Sequence, residues 1–498
     1  MPRSTSWRPG LLPPERQRGP LGRASLQNRM RGRPNGTLAY IPPYNLPVML
    51  LRSSLLLAIC AIVSTAAPNF LVLFVDDLGW HHVGYQGGAY ETPRIDRLAS
   101  ESMIFSRAYI PTPTCSPSRA ALLTGQHPAR LGIVRHIPTS PKFGFDSLGR
   151  TDQEFNHWEG DPSRWPSRNW LPLDAVTIAE ALGPLGYRSA FFGKWHLGSE
   201  SYHPVQQGFD EQFGVSNFGH PGSYYPPYWR AGNPYPDEEP DKYLTDRLTD
   251  DVVDYLAKAG EDRPFLATVF FYNVHAPHIG RKDLVDKYLA RGFSDDRAQL
   301  AAMVGATDSS VGRILDALAE SGHADDTVVI FLGDQGGLRY NEPLRGGKPG
   351  GTALYEGGAR VPMLIRWPEN VPAGTTQSTP VVSVDIFPTI VDLAGADPSK
   401  FAALDGLSLK PLFAGNGRIE REALFLERHY EDQYAAVVAG DWKLVAYWSG
   451  TRELYDLADD PSEKRDIASK HPERVRELSE LLAGWRANVG LQPEPGIR

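Results

Sequence analysis

The sequence predicts an α/β fold with a large mixed, mostly parallel sheet sandwiched by helices, and a smaller C-terminal α+β domain of antiparallel sheet plus helix. Three observations support this prediction. Apolar runs without alternation, such as residues 70–75, are typical of parallel strands buried on both faces. Helical patterns alternate with these runs along the chain. From residue 416 onwards, short alternating segments and one amphipathic helix replace them.

Polar residues end the predicted strands of the large sheet. The segments concerned are residues 69–80, 188–198, 265–278 and 327–337. Asp76 and Asp77 end the first apolar run, Asp334 and Gln335 end the last, and the other two runs end in Lys or His. Open α/β sheets bind ligands at the carboxyl ends of their strands. The pattern therefore places the functional site at that edge of the sheet.

The predicted helices lie between the strands, at residues 174–186 and 298–322. Two stretches, 137–170 and 216–240, have no regular pattern and are rich in Pro, Gly and aromatic residues. Loops of this length are either functional or disordered. Their content of Trp, Tyr and Phe favours ordered rims of a pocket for sugar or aryl groups.

Two domains are expected, a catalytic domain at residues 68–415 and a C-terminal α+β subdomain at 416–498. Within the second, alternating strands with turns are predicted over 422–457. A closing amphipathic helix is predicted over 472–490.

The N-terminal region predicts an exported protein. Residues 49–67 contain one Arg, an apolar run and small residues at the end, the pattern of a secretory signal peptide. A buried strand or helix is the alternative, and a lipid anchor at Cys60 is disfavoured by the bulky Ile59. Residues 1–48, rich in Arg, Pro and Gly, are predicted to be a disordered extension or an over-long translation start. We expect a periplasmic or secreted protein without a stable membrane span.

The charge distribution argues against nucleic-acid binding. The chain has 51 Lys and Arg residues and 59 Asp and Glu residues, which gives a net charge of -8. The first 67 residues hold nine of these cations and one of these anions, so the remainder has 42 against 58, or -16. A surface this acidic repels the phosphate backbone and anionic membranes.

Oxygen donors at two strand ends indicate a metal site. Asp76, Asp77 and Asp334 supply three carboxylates and Gln335 an amide carbonyl, which suit Ca²⁺ or Mg²⁺ rather than zinc. An isolated pair of Asp residues is more often a helix cap or a solvated turn. The second strand end makes a metal site the better interpretation.

Cys115 is the one cysteine that remains after removal of the predicted signal peptide, so the mature chain has no internal disulfide. Pro113 and Pro117 flank it, and a helix is predicted to begin here. A helix N-terminus attracts anions, and Arg119 can pair with a tetrahedral oxyanion. A small buried hydrophobe and a cysteine nucleophile are alternative interpretations, although a hard metal ion beside a thiolate is a poor match.

These motifs resemble those of a known family. The pentapeptide CSPSR at 115–119, followed by LLTG at 122–125, resembles the signature of the type I (formylglycine-dependent) sulfatases, arylsulfatase-like members of the alkaline phosphatase superfamily. The likeness extends over nearly all of residues 68–465. It includes NFLVLFVDDLGW (69–80), GKWHLG (193–198), HAPH (275–278), GDQGG (333–337), RGGKPGGTALYEGGARVPMLIRWP (345–368), VDIFPTIVDLAG (384–395) and ELYDLADDP (453–461).

The resemblance implies a modification, a metal site and a set of catalytic residues. A maturation enzyme would oxidise Cys115 to formylglycine, and the thiol would lie on an accessible, Pro-flanked segment for this purpose. The implied ligands of Ca²⁺, in preference to Mg²⁺, are Asp76, Asp77, Asp334, Gln335 and an oxygen of modified Cys115. The implied catalytic residues are Cys115, Arg119, Lys194, His196, His275 and Lys348.

The resemblance also implies a role for each side chain. Arg119 and Lys194 would hold the modified residue and the sulfate oxygens, and His196 would accept a proton from the hydrated aldehyde. His275 and Lys348 would contact the ester and help protonate the leaving oxygen. In the implied reaction, the gem-diol attacks sulfur, the alcohol leaves, and a sulfated enzyme remains. Its second hydroxyl then loses its proton and expels sulfate, which regenerates the aldehyde. A serine could attack but could not eliminate.

Some positions depart from the family pattern. Gln335 stands where many relatives have Asn or His, which affects the expected metal geometry. Pro349 and Gly350 lengthen the turn after Lys348 and affect its reach. Ser216 occupies roughly the place of a sulfate-contacting residue in some relatives and is not assigned that role.

Several residues have a structural interpretation beside the functional one. Lys194 could be a surface lysine and His196 a buried, hydrogen-bonded histidine, but their place after a strand favours function. His278 could contact substrate or belong to a turn. The residues predicted to be structural are His127, Arg130 and Glu356.

The expected substrate is a sulfated oligosaccharide or polysaccharide fragment, or an aryl sulfate, from which inorganic sulfate is released. A phosphate or phosphonate ester hydrolase on the same fold is an alternative. A second metal site of further Asp and His residues would favour it, and the sequence shows no motif for one. An inactive carbohydrate-binding relative is another alternative. It would lack Cys115 or the Asp pairs, which are all present.

Overall fold

The computed structural model describes residues 67–163, 165–236, 239–260, 262–348, 350–401, 403–415, 417–428 and 430–491. The predicted extension at 1–48, the predicted signal peptide (apart from Ala67) and Cys60 lie outside these residues. The described residues belong to one compact unit, and the division into domains at residue 415 stays a prediction. Among the described residues, no helix combines the length and the apolar character that a membrane crossing requires.

The strands are numbered along the chain. They are β1 (Asn69–Val75), β2 (Met103–Phe105), β3 (Ala108–Tyr109), β4 (Phe155–Asn156), β5 (Ser167–Arg168), β6 (Arg188–Lys194), β7 (Glu211–Ser216), β8 (Phe265–Phe270), β9 (Thr327–Gly333), β10 (Arg360–Val361), β11 (Met363–Arg366), β12 (Thr375–Gln377), β13 (Val381–Val382), β14 (Leu424–Glu427), β15 (Gln433–Ala439), β16 (Trp442–Tyr447) and β17 (Arg452–Asp456). The α-helices are α1 (Pro93–Ser100), α2 (Cys115–Thr124), α3 (Pro128–Leu131), α4 (Ile178–Leu182), α5 (Leu244–Leu256), α6 (Lys282–Ala290), α7 (Asp295–Glu320), α8 (Glu356–Ala359), α9 (Ile386–Leu393) and α10 (Pro472–Asn488).

An eight-stranded sheet forms the centre of the fold, in the order β12-β2-β11-β9-β1-β8-β6-β7. Strand β11 is antiparallel to both of its neighbours, and the other pairs are parallel. The predicted mixed, mostly parallel sheet is therefore confirmed.

Both faces of the large sheet are covered by helices. In β1, Leu71 and Leu73 belong to a core cluster with residues of α5 and α7. Phe70 and Val72 point to the other face and join a cluster with residues of α2, α4 and α9. Because every residue of β1 is buried, the strand has no polar face, which explains its unbroken apolar sequence.

The C-terminal residues form a separate antiparallel sheet, in the order β14-β15-β16-β17, as the alternating pattern predicts. Helix α10 covers one face of this sheet, where Leu478 and Leu482 pack against β15 and β16. On the other face, Leu426 and Val445 pack with Ala121 of α2 and Tyr355. The sheet therefore packs against the helix that begins with Cys115.

Helix α4 is shorter than the predicted helix at 174–186. It begins after a capping box in which Thr177 and Glu180 bond each other's backbone N–H groups. A 3₁₀ turn at Gly183–Leu185 replaces its last turn, because Pro184 has no N–H group to donate. The loops predicted at 137–170 and 216–240 contain the two-residue strands β4 and β5 and a 3₁₀ turn at Pro141–Phe143, within their described residues.

Candidate active site

Strand ends bring the predicted site residues together at one edge of the large sheet. Asp76 and Asp77 follow β1, Asp334 and Gln335 follow β9, and these two strands are parallel neighbours. The Asp77 backbone N–H donates to Asp334 Oδ1 at 2.9 Å. Lys194 is the last residue of β6. This is the edge at which the apolar runs predict a ligand site.

The backbone bends sharply at two of these positions. Asp77 and His196 both have a φ of 56°, in the left-handed region that few side chains adopt. Such strain is concentrated at functional sites. At the end of β1 it lets two successive carboxylates converge, so that ligand atoms of Asp76, Asp77 and Cys115 all lie within 4.8 Å of one another.

Cys115 is the first residue of α2, with Thr114 as the N-cap, and the whole helix is buried. The predicted helix start is therefore present. The predicted accessibility of this segment is wrong for the folded chain, because Cys115 is 5% exposed and α2 packs between the large sheet and the C-terminal sheet. In the folded protein, Cys115 is reached through a cavity.

Lys348 and Gln335 lie within hydrogen-bonding distance of the Cys115 sulfur, and the imidazoles of His196 and His275 also lie close enough to influence it. Lys348 Nζ lies 3.7 Å from Sγ and 2.8 Å from Asp77 Oδ2. Gln335 Nε2 lies 3.4 Å from Sγ and donates to Asp77 Oδ1 at 2.6 Å. The longer turn after Lys348 therefore does not prevent the lysine from reaching the site.

Arg119 and Lys194 lie behind the carboxylates and are fully buried. Arg119 Nη2 is 2.9 Å from Asp334 Oδ2 and 3.5 Å from Asp76 Oδ2. Lys194 Nζ pairs with Asp76, and its backbone carbonyl accepts from Arg119 Nη1 at 2.9 Å. Buried charges of this kind require partners, and each has one.

The two predicted histidines have defined tautomers. His196 Nε2 lies 2.9 Å from the Ile137 carbonyl, so Nε2 carries the hydrogen, and the buried Nδ1 has no hydrogen-bond partner among the described residues. His275 Nδ1 bonds the Ala276 carbonyl at 2.6 Å, and its Nε2 lies 3.9 Å from Asp77 Oδ2. Both rings line the cavity above Cys115.

The electrostatics of the site favour an ionised residue at position 115. Burial raises the pKa of the Cys115 thiol, but Lys194 and Lys348 outweigh it and hold this pKa well below its usual range. Burial and the neighbouring Asp76 raise the pKa of Asp334 well above its usual range. Burial lowers the pKa of His196, so its imidazole is neutral at pH 7.

The donor set fits a hard divalent cation. Asp76 Oδ1 and Gln335 Oε1 are buried and make no hydrogen bond within the described part of the chain. Carboxylate and amide oxygens are the ligands that Ca²⁺ and Mg²⁺ prefer. The three carboxylates are balanced by three cations, so a bound divalent ion would make the cluster positive towards an anionic ester. These cations are Arg119, Lys194 and Lys348.

A cavity of about 690 Å³ opens above Cys115. Its wall includes four residues that the sequence analysis did not identify: His136, His220, Arg428 and Tyr430. The first two lie on or beside the aromatic-rich loops, whose composition predicted a pocket rim. Nothing in the sequence marks the other two, which come from the C-terminal sheet region more than 300 residues after Cys115.

Other predicted positions have structural contacts. His278 does not line this cavity, and its Nδ1 lies 3.9 Å from Asp296 Oδ1. His127 accepts a hydrogen bond from Ala129 N at the start of α3. Arg130 pairs with Asp405 at 2.7 Å, and the buried Glu356 with Lys443 at 2.8 Å.

Comparison with known proteins identifies the family. The family model "Sulfatase" matches residues 68–396 of the chain. The chain belongs to the sulfatase family. A second model, "N-sulphoglucosamine sulphohydrolase, C-terminal", matches residues 352–487 of this sulfatase.

Curated relatives support the same family. Human arylsulfatase A is 30% identical to this sulfatase over 492 residues, which cover 86% of this chain and 90% of the relative. Human N-acetylgalactosamine-6-sulfatase is 32% identical over 406 residues, which cover 77% of this chain and 72% of the relative. These findings establish a sulfuric ester hydrolase.

Solved structures share the fold. The crystal structure of Ps i-CgsB matches with a TM-score of 0.73 and 30% identity, over 84% of this sulfatase and 92% of that chain. A phosphonate monoester hydrolase of Agrobacterium radiobacter matches with a TM-score of 0.59 and 22% identity, over 85% of this sulfatase and 96% of that chain. This match shows a shared fold alone.

Proposed function

We propose that this sulfatase releases inorganic sulfate from a sulfated carbohydrate or an aryl sulfate, with Cys115 converted to formylglycine. The position of Cys115 Sγ supports the proposal most strongly. It lies at the inner end of a cavity of about 690 Å³, 3.7 Å from Lys348 Nζ and next to the carboxylates of Asp76 and Asp77. A bound sulfate ester would thus meet a nucleophile and positive charge together.

Hydrated formylglycine at position 115 would supply a geminal diol. One hydroxyl would attack sulfur, which breaks the S–O bond to the leaving alcohol and leaves a sulfated enzyme. The other hydroxyl would then lose its proton, and the aldehyde C=O would re-form as the C–O bond to sulfate breaks. His196 is placed to take up a proton, because Nε2 is fixed by the Ile137 carbonyl and Nδ1 remains as the acceptor. Since Cys115 is buried in the folded protein, the maturation enzyme would act before the chain has folded.

The remaining predicted residues would bind and orient the ester. Lys348 is held protonated by Asp77 and faces the cavity, so it would neutralise the sulfate oxygens and the leaving oxygen. His275 Nε2 points between the cavity and Asp77, where it would contact the ester. Arg119 and Lys194 do not line the cavity and would act indirectly, by holding the carboxylates of Asp76 and Asp334 in place.

We propose Ca²⁺ as the metal, held by Asp76, Asp77, Asp334, Gln335 and an oxygen of modified residue 115. The ion would polarise the sulfate and favour the ionised nucleophile. The unpartnered oxygens of Asp76 and Gln335 support this assignment.

The export of the protein to the periplasm or the medium is also a proposal. N-terminal sequencing of protein from the culture fractions tests it.

Sulfate release and mass spectrometry test the proposed function together. Active protein is digested with trypsin, and the mass of the peptide that ends at Arg119 is measured by mass spectrometry. We expect formylglycine in place of Cys115, and loss of sulfate release in Cys115→Ala protein. An intact thiol in fully active enzyme would refute the formylglycine proposal. Phosphate release at a higher kcat/KM than sulfate release would refute the sulfate assignment.

A further inference from the structure

The mouth of the cavity carries polar side chains that the proposed reaction does not use. We call them the outer polar layer, and they are His136, Thr139, Ser140 and His220. His136 and His220 are exposed and the other two are half-buried. By contrast, His196 is 4% exposed and His275 is half-buried, so these two form an inner pair of cavity histidines and His136 and His220 an outer pair.

The outer polar layer has free hydrogen-bonding capacity. Within the described residues, the His136 ring and the hydroxyls of Thr139 and Ser140 make no hydrogen bond. His220 Nδ1 bonds the Pro221 carbonyl at 2.9 Å, so Nδ1 carries the hydrogen and Nε2 is left as an acceptor. Polar groups at a binding site that lack protein partners are available to a ligand.

His220 also has a fixed orientation. Its ring stacks on His275, with 5.2 Å between the ring centroids and an interplanar angle of 9°. Because His275 lies at the ester end of the cavity, the stack sets the distance between the outer polar layer and the ester. A substrate group bound by His220 would therefore belong to the sugar ring that carries the sulfate ester.

The chemistry of the outer polar layer is neutral. No carboxylate lines the cavity within the described residues, and its two cations are Lys348 and Arg428. Arg428 is already bonded to the Pro113 carbonyl at 2.7 Å and to Glu431 at 3.1 Å. Neutral imidazoles and hydroxyls both donate and accept hydrogen bonds, which matches the hydroxyl groups of a sugar.

We infer that His136 and His220 bind hydroxyl groups of the sugar ring that carries the sulfate, so that the substrate is a carbohydrate and not a simple aryl sulfate. This inference rests on the proposed function. It assigns the two histidines to substrate specificity, whereas the inner pair serves the reaction at sulfur.

The test compares two substrate classes. One is 4-nitrophenyl sulfate, which has no hydroxyl group, and the other is a panel of hexoses and N-acetylhexosamines sulfated singly at each position. The variants are His136→Phe and His220→Phe, which keep a ring (and, at 220, the stack) but remove its nitrogens. His157→Phe, at an exposed histidine outside the cavity, is the matched control. Thermal unfolding of each variant checks folding.

We expect the kcat/KM ratio of the best saccharide to the aryl sulfate to fall about 3- to 10-fold in each variant, through KM, as for a lost neutral hydrogen bond. His136→Gln, which keeps a donor and an acceptor, should restore the ratio. An unchanged ratio in both Phe variants overturns the inference. So does a wild-type enzyme that cleaves the aryl sulfate but no saccharide, although the proposed function then stands. Release from neither class overturns both.

Discussion

The Tyr430 hydroxyl lies 2.7 Å from Thr114 Oγ1, so a residue beyond strand β14 touches the residue immediately before Cys115. Two further contacts join the same segments. The Glu427 backbone N–H donates to the Pro111 carbonyl at 2.8 Å, and Arg428 Nη1 donates to the Pro113 carbonyl at 2.7 Å. The C-terminal part of the chain therefore fixes the loop that leads into the active-site helix.

Tyr430→Phe removes the hydroxyl and keeps the ring. We expect a loss of about 0.5–1.5 kcal/mol in the free energy of unfolding, the net value of one such hydrogen bond. Urea denaturation of Tyr430→Phe, Thr114→Val and the double variant measures the coupling. If the two single effects simply add, the hydrogen bond does not contribute to stability.

Gly219 leaves room for the His196 ring. A Cβ at this position would lie 2.5 Å from His196 Cε1 and 2.9 Å from Nε2, which is too close for any real contact. The ring cannot move without losing its bond to the Ile137 carbonyl. We expect Gly219→Ala to lower kcat/KM for sulfate release about 10- to 100-fold, since small misplacements of catalytic groups have effects of this size.

Gly222→Ala is the matched control for this substitution. Its Cβ would meet the Tyr228 carbonyl at 3.5 Å, an ordinary contact, and neither glycine has a positive φ. Steady-state kinetics and thermal unfolding are measured for both variants. Equal activities of the two variants would contradict the role given to the His196 position.

A buried ion cluster outside the active site predicts a pH dependence of stability. Lys443 Nζ lies 2.8 Å from Glu356 and 2.9 Å from Glu463, and all three side chains are fully buried. Two carboxylates thus share one ammonium group. Burial raises the pKa of Glu463 to about 7, from an ordinary value of 4.5.

Because the folded pKa of Glu463 exceeds the unfolded one, the native state binds more protons than the unfolded state between pH 4.5 and about 7. This contribution to stability is present at low pH and is lost as the pH rises through 7. Glu463→Gln should remove this pH-dependent contribution. The slope of the free energy of unfolding against pH should then change by up to about 1 kcal/mol per pH unit. Urea denaturation at pH 5, 6, 7 and 8 measures this, with the exposed Glu320→Gln as control. Parallel curves for wild type and Glu463→Gln would contradict it.

The sequence predicted those parts of the fold and site that depend on local patterns. Asp76 and Asp334 follow long apolar runs, and parallel strands place such ends at one edge of the sheet. The antiparallel direction of β11 could not be predicted, because a short apolar run does not indicate whether its strand lies parallel or antiparallel to its neighbours. Tyr430 and His136 lie in irregular segments, where tertiary contacts rather than periodicity determine which side chains reach the cavity.

Metal binding should stabilise the fold, whatever its effect on activity. The buried oxygens of Asp76 and Gln335 lack partners among the described residues, and a bound Ca²⁺ would supply one. For protein freed of metal by a chelator, Ca²⁺ at 100 times its Kd should raise the free energy of unfolding by about 2.7 kcal/mol. Thermal unfolding with and without Ca²⁺ measures the effect, and Asp77→Asn should reduce it because one carboxylate ligand is lost. Asp316→Asn, at an exposed surface ion pair, should retain it. A Ca²⁺-independent unfolding temperature in the wild type would refute the site, and an equal response to Mg²⁺ would refute the preference for Ca²⁺.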